Sequence, residues 1–150
     1  MALSFKKEKF VNIMPELPEL FYAQYMELES DIDAVPVDVD WMGYAQAEKS
    51  GKLHILAVRD ESKLVGYFFC YVAYGNHSKS TLKAASDLLY LRTEYRKGIT
   101  GLKLIDEAKK MVRDMGVKKL YIIQKSKASL APILKRKGGV LEEETYSFLL

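Results

Sequence analysis

The stretch from Leu88 to Ile105 constrains this chain most. Leu88-Leu89-Tyr90-Leu91 runs apolar into Arg92-Thr93-Glu94-Tyr95-Arg96-Lys97-Gly98-Ile99-Thr100-Gly101, and Leu102-Lys103-Leu104-Ile105 follows at helical spacing. A leucine- and tyrosine-rich run reads as a strand, glycines punctuate a turn, and the 3.6-residue period after it reads as a helix. A helix that starts on such a turn directs unpaired backbone N–H groups outward. Arg96 and Lys97 stand beside them, so the arrangement suits an anion, best a phosphate.

The charge distribution agrees. Arg92 to Val140 holds 14 basic against 4 acidic residues, a net +10, whereas the rest of the chain holds 9 against 16, a net −7. The positive field and the helix start would therefore act on the same ligand. The acidic half is densest at Glu27, Glu29, Asp31, Asp33, Asp38 and Asp40. If that segment is a site rather than a solvated loop, it draws a cationic amine.

Around this stretch the pattern predicts the remaining elements. Leu3, Phe5, Phe10 and Val11 among lysines predict an edge-like strand over residues 2–12. Pro15 and Pro18 open an amphipathic helix that carries Leu17, Leu20, Phe21, Tyr25 and Leu28 and closes near Ser30. Asp40 caps a shorter helix through Trp41, Tyr44 and Ala47, stopped at Ser50-Gly51. Leu53–Val58, Leu64–Tyr74 and Leu82–Leu91, separated by polar turns, predict three antiparallel strands. A helix with the apolar stripe Leu102, Ile105, Ala108, Val112 and Met115 follows, stopped at Gly116, and then a strand from Lys119 to Ile123. Strand, helix and strand within about 40 residues make a right-handed crossover between parallel neighbours. Ser129–Lys137 predicts a last helix ending at Gly138-Gly139, and Val140–Leu150 a final strand or hairpin arm.

The expected architecture is thus one α/β (α+β) domain over residues 1–150: a mixed, mostly antiparallel sheet with one parallel βαβ pair and helices on both faces. No apolar run is long enough to span a bilayer and the N-terminus lacks the order of a signal peptide, so the expected location is cytoplasmic, without a membrane partner. The single cysteine, Cys70, sits in an apolar run as a buried, inert thiol. Two histidines, His54 and His77, lie far from it and give no metal-ligand spacing. No Gly-x-Ser-x-Gly or Cys/His constellation points to a hydrolase.

This element order, together with Arg96-Lys97-Gly98-Ile99-Thr100-Gly101 at a strand-to-helix junction, resembles the GNAT family of acyl-CoA-dependent N-acetyltransferases. The family's signature is Gln/Arg-x-x-Gly-x-Gly/Ala. Arg96 and Gly101 match its first and last positions, while the fourth is Ile99 here and its glycine is displaced to Gly98. The resemblance implies acetyl-CoA as cosubstrate and no metal. It assigns Leu91, Arg92 and Thr93 to the pantetheine arm, and Arg96, Lys97, Gly98, Ile99, Thr100 and Gly101 to the pyrophosphate. It implies acetyl transfer to a primary amine, small molecule or protein, by direct attack.

In the family an acidic side chain on the strand before the signature serves as base or holds a water that does. Asp87 lies there, and strict alternation puts it on the face of Leu89 and Leu91. The family's general acid is a tyrosine in the last helix, and no tyrosine stands between Leu130 and Val140. Ser126, Ser129 or Tyr146 could substitute, or the thiolate could leave unassisted. Two other readings stay open: a GNAT-shaped binding protein without catalysis, and a basic nucleic-acid-binding domain. The latter is disfavoured, because its Gly-x-x-Gly loop would join two helices and this one follows a strand. The sequence leaves room for a homodimer.

Overall fold

A computed structural model describes residues 2–150. Its centre is a five-stranded sheet in the order β1 (Leu3–Lys7), β2 (Leu53–Asp60), β3 (Lys63–Gly75), β4 (Ser78–Leu91) and β5 (Lys119–Tyr121). The first four strands are antiparallel neighbours, and β5 lies parallel to β4. β2 and β3 are apolar at successive positions because both faces of the sheet are covered. Leu56, Val58, Val65, Phe68 and Cys70 pack under α4 (Thr100–Asp114). Leu53, Ile55, Leu64, Tyr67 and Phe69 pack under α1 (Phe10–Ile13), α2 (Leu17–Leu28) and α3 (Trp41–Lys49). Each such side chain contributes about 1.5–3 kcal/mol when fully buried.

The strand expected over residues 2–12 stops at Lys7. Glu48 of α3 accepts the Phe10 N–H at 2.6 Å, so the chain coils into α1 and buries Phe10 and Ile13. Pro18 stands in the first turn of α2, and Asp40 caps α3 by accepting the Gly43 N–H at 2.8 Å. Gly51 (φ 78°) and Gly116 (φ 87°) end α3 and α4 in the left-handed region, as a C-terminal stop requires. The buried seam of α4 is Leu104, Ile105, Ala108, Met111 and Val112, whereas Leu102 turns toward α5 (Ala131–Arg136). Burial pushes the Cys70 thiol up to about 12, which keeps it an unreactive thiol. His54 lies 2.9 Å from the Gly51 carbonyl, and burial holds its imidazole below the ordinary value.

β5 ends at Tyr121, short of Ile123, and Val140–Leu150 forms no strand. Among the described residues the one ion pair of that tail joins Glu142 to Lys119, the first residue of β5, at 2.8 Å. Among the described residues no helix is long and apolar enough to cross a membrane.

Candidate active site at the parting of β4 and β5

β4 and β5 share only Lys83–Ala85 against Lys119–Tyr121. One further tie follows, the Ile123 N–H donating to Ser86 Oγ at 2.8 Å, and from Asp87 to Leu91 β4 has no strand on that side. The result is a slot along β4 that opens onto the turn before α4. That turn is held from several sides. The Arg92 N–H donates to the Val65 carbonyl at 2.8 Å, Thr93–Tyr95 forms a 3-10 turn, and the Tyr95 hydroxyl donates to Asp60 at 2.8 Å. Gly98 takes φ 66°, a conformation that costs glycine nothing.

The first α-helical bond of α4 runs from the Lys103 N–H to the Ile99 carbonyl, so the N–H groups of Thr100, Gly101 and Leu102 have no carbonyl partner in the helix. A cleft of about 210 Å³ lies beside this turn, between Arg96, Gly98, Gly101 and Leu102 on one side and Pro132, Ile133 and Arg136 of α5 on the other. A Cβ at Gly98 would meet nothing within 4 Å, and one at Gly101 would stand 3.3 Å from Ile133 Cδ1. The first glycine therefore leaves the approach to the loop open. The second lets α5 close on α4.

Arg96 does not face this cleft as a free cation. Its Nε donates to the Leu91 carbonyl at 2.7 Å, its two terminal nitrogens hold Glu27 of α2 at 2.6 and 2.9 Å, and its Cζ lies 5.1 Å from the centre of the Tyr90 ring. The Arg96 hydrogen bonds hold the Glu27 carboxyl below its ordinary range, and Glu27 in turn raises the guanidinium. Arg96 is a brace between α2, β4 and the loop. Lys97, next in the chain, and Arg136, across the cleft, are exposed cations, and Arg136 makes no ion pair among the described residues. Sequence reasoning missed Arg136, because no local pattern says which face of a six-residue helix returns to the loop. Leu91 and Arg92 are likewise engaged within the protein, the first through its carbonyl to Arg96 and the second through its N–H to Val65 and its guanidinium to Glu19 at 2.8 Å. Thr93 accepts the Arg96 N–H at 3.1 Å.

Asp87 stands on β4 at the mouth of the slot, but not on the face that alternation predicted. Phe69 pairs with Leu88 and Cys70 with Ser86, so Asp87 is the extra residue of a β-bulge. A bulge breaks the two-residue period and re-aims the side chain. The Asp87 carboxylate thus leaves the face of Leu89 and Leu91 and meets α3, where Tyr44 donates its hydroxyl at 2.6 Å. It is exposed rather than buried among leucines, and its partner is a tyrosine instead of an edge lysine. Burial and the neighbouring Asp87 push the Tyr44 hydroxyl far above its ordinary value, so it stays protonated. Tyr71 is also held up by burial and by Asp87. Tyr44 read as helix-face core in the sequence; only the bulge reveals its partner.

Tyr146 lies in the exposed tail, and its hydroxyl reaches only Glu144, at 3.4 Å. No hydrogen bond joins it to Asp87 or to the loop. Ser129 accepts the Ala131 N–H at 3.2 Å and so stabilises the start of α5.

No protein-family model and no curated protein matches the sequence. Solved structures do match. An aminoglycoside acetyltransferase, meta-AAC0020, from an uncultured soil metagenomic sample is 17% identical with a TM-score of 0.74, over 99% of this chain and 95% of that one. A predicted acetyltransferase with acetyl-CoA from Clostridium acetobutylicum is 12% identical with a TM-score of 0.72, over 99% and 96%. A transcriptional regulator from Bacillus halodurans C-125 is 10% identical with a TM-score of 0.75, over 99% and 100%. One fold carries more than one function, so activity has to be argued from the site. What these likenesses establish is the architecture: the chain has the fold of the GNAT acetyltransferases.

Proposed function

We propose that the chain binds acetyl-CoA and transfers its acetyl group to a primary amine by direct attack. The observation that carries this reading is the slot, where β4 parts from β5 directly ahead of a glycine turn and a helix start with open N–H groups. The residues suit the cosubstrate. Gly98 leaves room for close approach, and Thr100, Gly101 and Leu102 offer N–H donors. Lys97 and Arg136 add counter-charge for a diphosphate. Leu91 to Thr93 would border the arm, with Arg96 fixing the loop rather than neutralising the phosphates. Bound acetyl-CoA supplies an activated acyl thioester.

The chain's own task is to handle the proton. An alkylamine is an ammonium ion at neutral pH and must lose a proton before it attacks. Asp87 is exposed at the mouth of the slot, and Tyr44 fixes its carboxylate from the other side, so Asp87 is placed to take that proton directly or through one water. Tyr44, held protonated, is the hydroxyl nearest the proposed base; Tyr146 could serve the leaving thiolate only by folding back over the slot. The acidic connection after α2, with Asp31, Asp33 and Asp38, favours a cationic acceptor. The acetyltransferase names among the structural neighbours support acetyl transfer as the general chemistry.

The test is release of free CoA thiol across a panel of alkylamines, aminoglycosides and amine-bearing peptides. The native chain turns over at least one of them. Asp87→Asn lowers that rate at least about tenfold, the low end for an acid–base group, while acetyl-CoA still binds. Undiminished turnover in the variant removes Asp87 as base. Binding without turnover over the whole panel assigns the fold to binding alone.

A further inference from the structure

α2 ends against its own dipole. Its last turn carries no basic residue, yet Glu27 and Glu29 stand where the helix already presents open carbonyls. Those of Met26, Glu27 and Leu28 accept no N–H among the described residues. Negative charge at such an end is unfavourable and a cation is favourable. Glu27 is answered by the Arg96 guanidinium. Glu29 is answered by an ammonium, Lys125 Nζ, which meets its two carboxylate oxygens at 2.8 and 3.0 Å.

Lys125 comes from the far side of the slot. Ile123, two residues before it, donates its N–H to Ser86 Oγ. Tyr90, four residues further along β4, donates its hydroxyl to Glu27, two residues before Glu29. The pair therefore spans the part of β4 that has no neighbouring strand, on the face that carries α2 and α3. Asp87 turns to that same face to meet Tyr44, whereas α4 covers the other. Among the described residues this is the one ion pair or hydrogen bond between residues 122–130 and α2 or the connection after it. Each partner belongs to a segment held on its own side: Val35 accepts the Tyr25 hydroxyl at 2.7 Å, and Gln124 accepts the Leu130 N–H at 2.6 Å. With the Lys125 and Glu29 side chains 50% and 32% exposed, the pair opens by side-chain rotation alone.

We propose that Glu29 is the subsite for a second, non-reacting ammonium of the acceptor, and that Lys125 holds its place in the free protein. As an acceptor subsite it rests on the proposed reaction, in which Asp87 takes the proton of the reacting amine; it adds that the acceptor is a small dicationic amine. Exchanging one ammonium for another leaves no carboxylate unpaired at the helix end, and the freed Lys125 turns into water. A monoamine that reaches Asp87 gains nothing at Glu29.

The test is calorimetry of linear diamines, and of monoamines of equal chain length, onto the full chain with CoA present, with the rate of acetyl transfer measured beside it. The best-fitting diamine should bind at least about tenfold more tightly than its monoamine, the gain of one charge-assisted hydrogen bond. The two ends of the ion pair should act with opposite sign. Glu29→Gln weakens diamine binding about tenfold and raises KM rather than lowering kcat, whereas Lys125→Met removes the resident competitor and tightens it. An ion pair that merely fastens the fold would shift binding the same way from either end. Asp33→Asn, which removes an equal charge four residues along the chain, keeps the diamine preference. Equal binding of diamine and monoamine overturns the proposal. So does a preference that survives Glu29→Gln, a shift of the same sign in Glu29→Gln and Lys125→Met, or a preference lost in Asp33→Asn. Diamine preference in calorimetry without transfer to any amine supports the ammonium subsite and overturns the reaction instead.

Discussion

Replacing Glu27 by alanine tests whether Arg96 braces the loop or serves as a phosphate ligand. Three hydrogen bonds end on this carboxylate, two from Arg96 at 2.6 and 2.9 Å and one from the Tyr90 hydroxyl at 3.1 Å. Bonds to charged groups contribute about 1.5–3 kcal/mol each when buried. Here the Arg96 and Glu27 side chains are 39% and 33% exposed, so solvent screening brings the expected loss to about 1–2 kcal/mol. For a chain of this size that is about 2–8 °C in Tm. The loss has a pH signature. Glu27 titrates below its ordinary value in the folded state, so its contribution is complete above the unfolded carboxyl range and disappears as pH falls through the folded one. Native and variant stabilities should therefore converge on acidification below about pH 4. Freeing the loop also adds the cost of ordering it on binding, about 0.5–1.5 kcal/mol for one long side chain, or about 2–10-fold weaker CoA binding by calorimetry. If Glu27→Ala binds CoA more tightly, Arg96 was a phosphate ligand held back by Glu27, and the bracing argument fails.

Three further substitutions probe neighbouring parts of the site. Gly101→Val places a branched side chain where even a Cβ stands 3.3 Å from Ile133; it should abolish CoA binding in calorimetry and lower stability in urea by about 1–3 kcal/mol, the range for overpacking, and normal binding would show the loop is misplaced. Gly66→Ala drives a Cβ to 2.7 Å from the Tyr90 carbonyl and 2.8 Å from Leu91 Cδ1, so it should cost a similar amount and weaken CoA binding through the end of β4. Tyr44→Phe removes the hydroxyl that fixes the Asp87 carboxylate at 2.6 Å; it should lower the rate of acetyl transfer while CoA binding in calorimetry stays unchanged, and an unchanged rate would mean that Tyr44 does not position the proposed base.

Much of the fold was legible because local chemistry and tertiary need agree. Asp40, Pro18, Gly51 and Gly116 each act where their backbone preferences say, and Leu64–Cys70 is apolar throughout because helices cover both faces. The misses share one cause, contacts between residues distant in sequence. Phe10 and Val11 look like a continuing strand until Glu48, 38 residues away from Phe10, caps that backbone. Asp87 follows alternation until the register with Cys70 inserts a bulge. Arg96 has the position and charge of a phosphate ligand, and only the fold brings Glu27, 69 residues away, onto it. The loop of the site was readable as Gly98 and Gly101, because glycine reports on backbone. Arg136 of α5 beside that loop, and Tyr44 as the partner of the proposed base, were not, because side-chain partners across elements leave no local pattern.

The central claim is that the slot and the glycine loop bind CoA. Thermal unfolding of the full chain with acetyl-CoA, CoA or ATP tests it most directly. At 100 times its dissociation constant a ligand adds about 2.7 kcal/mol, or about 5–11 °C for a chain of this length. The account predicts that shift for acetyl-CoA and CoA, its loss in Gly101→Val, and a smaller shift for ATP, which lacks the arm that would run along β4. No shift with either CoA species, or equal shifts with all three ligands, would contradict it.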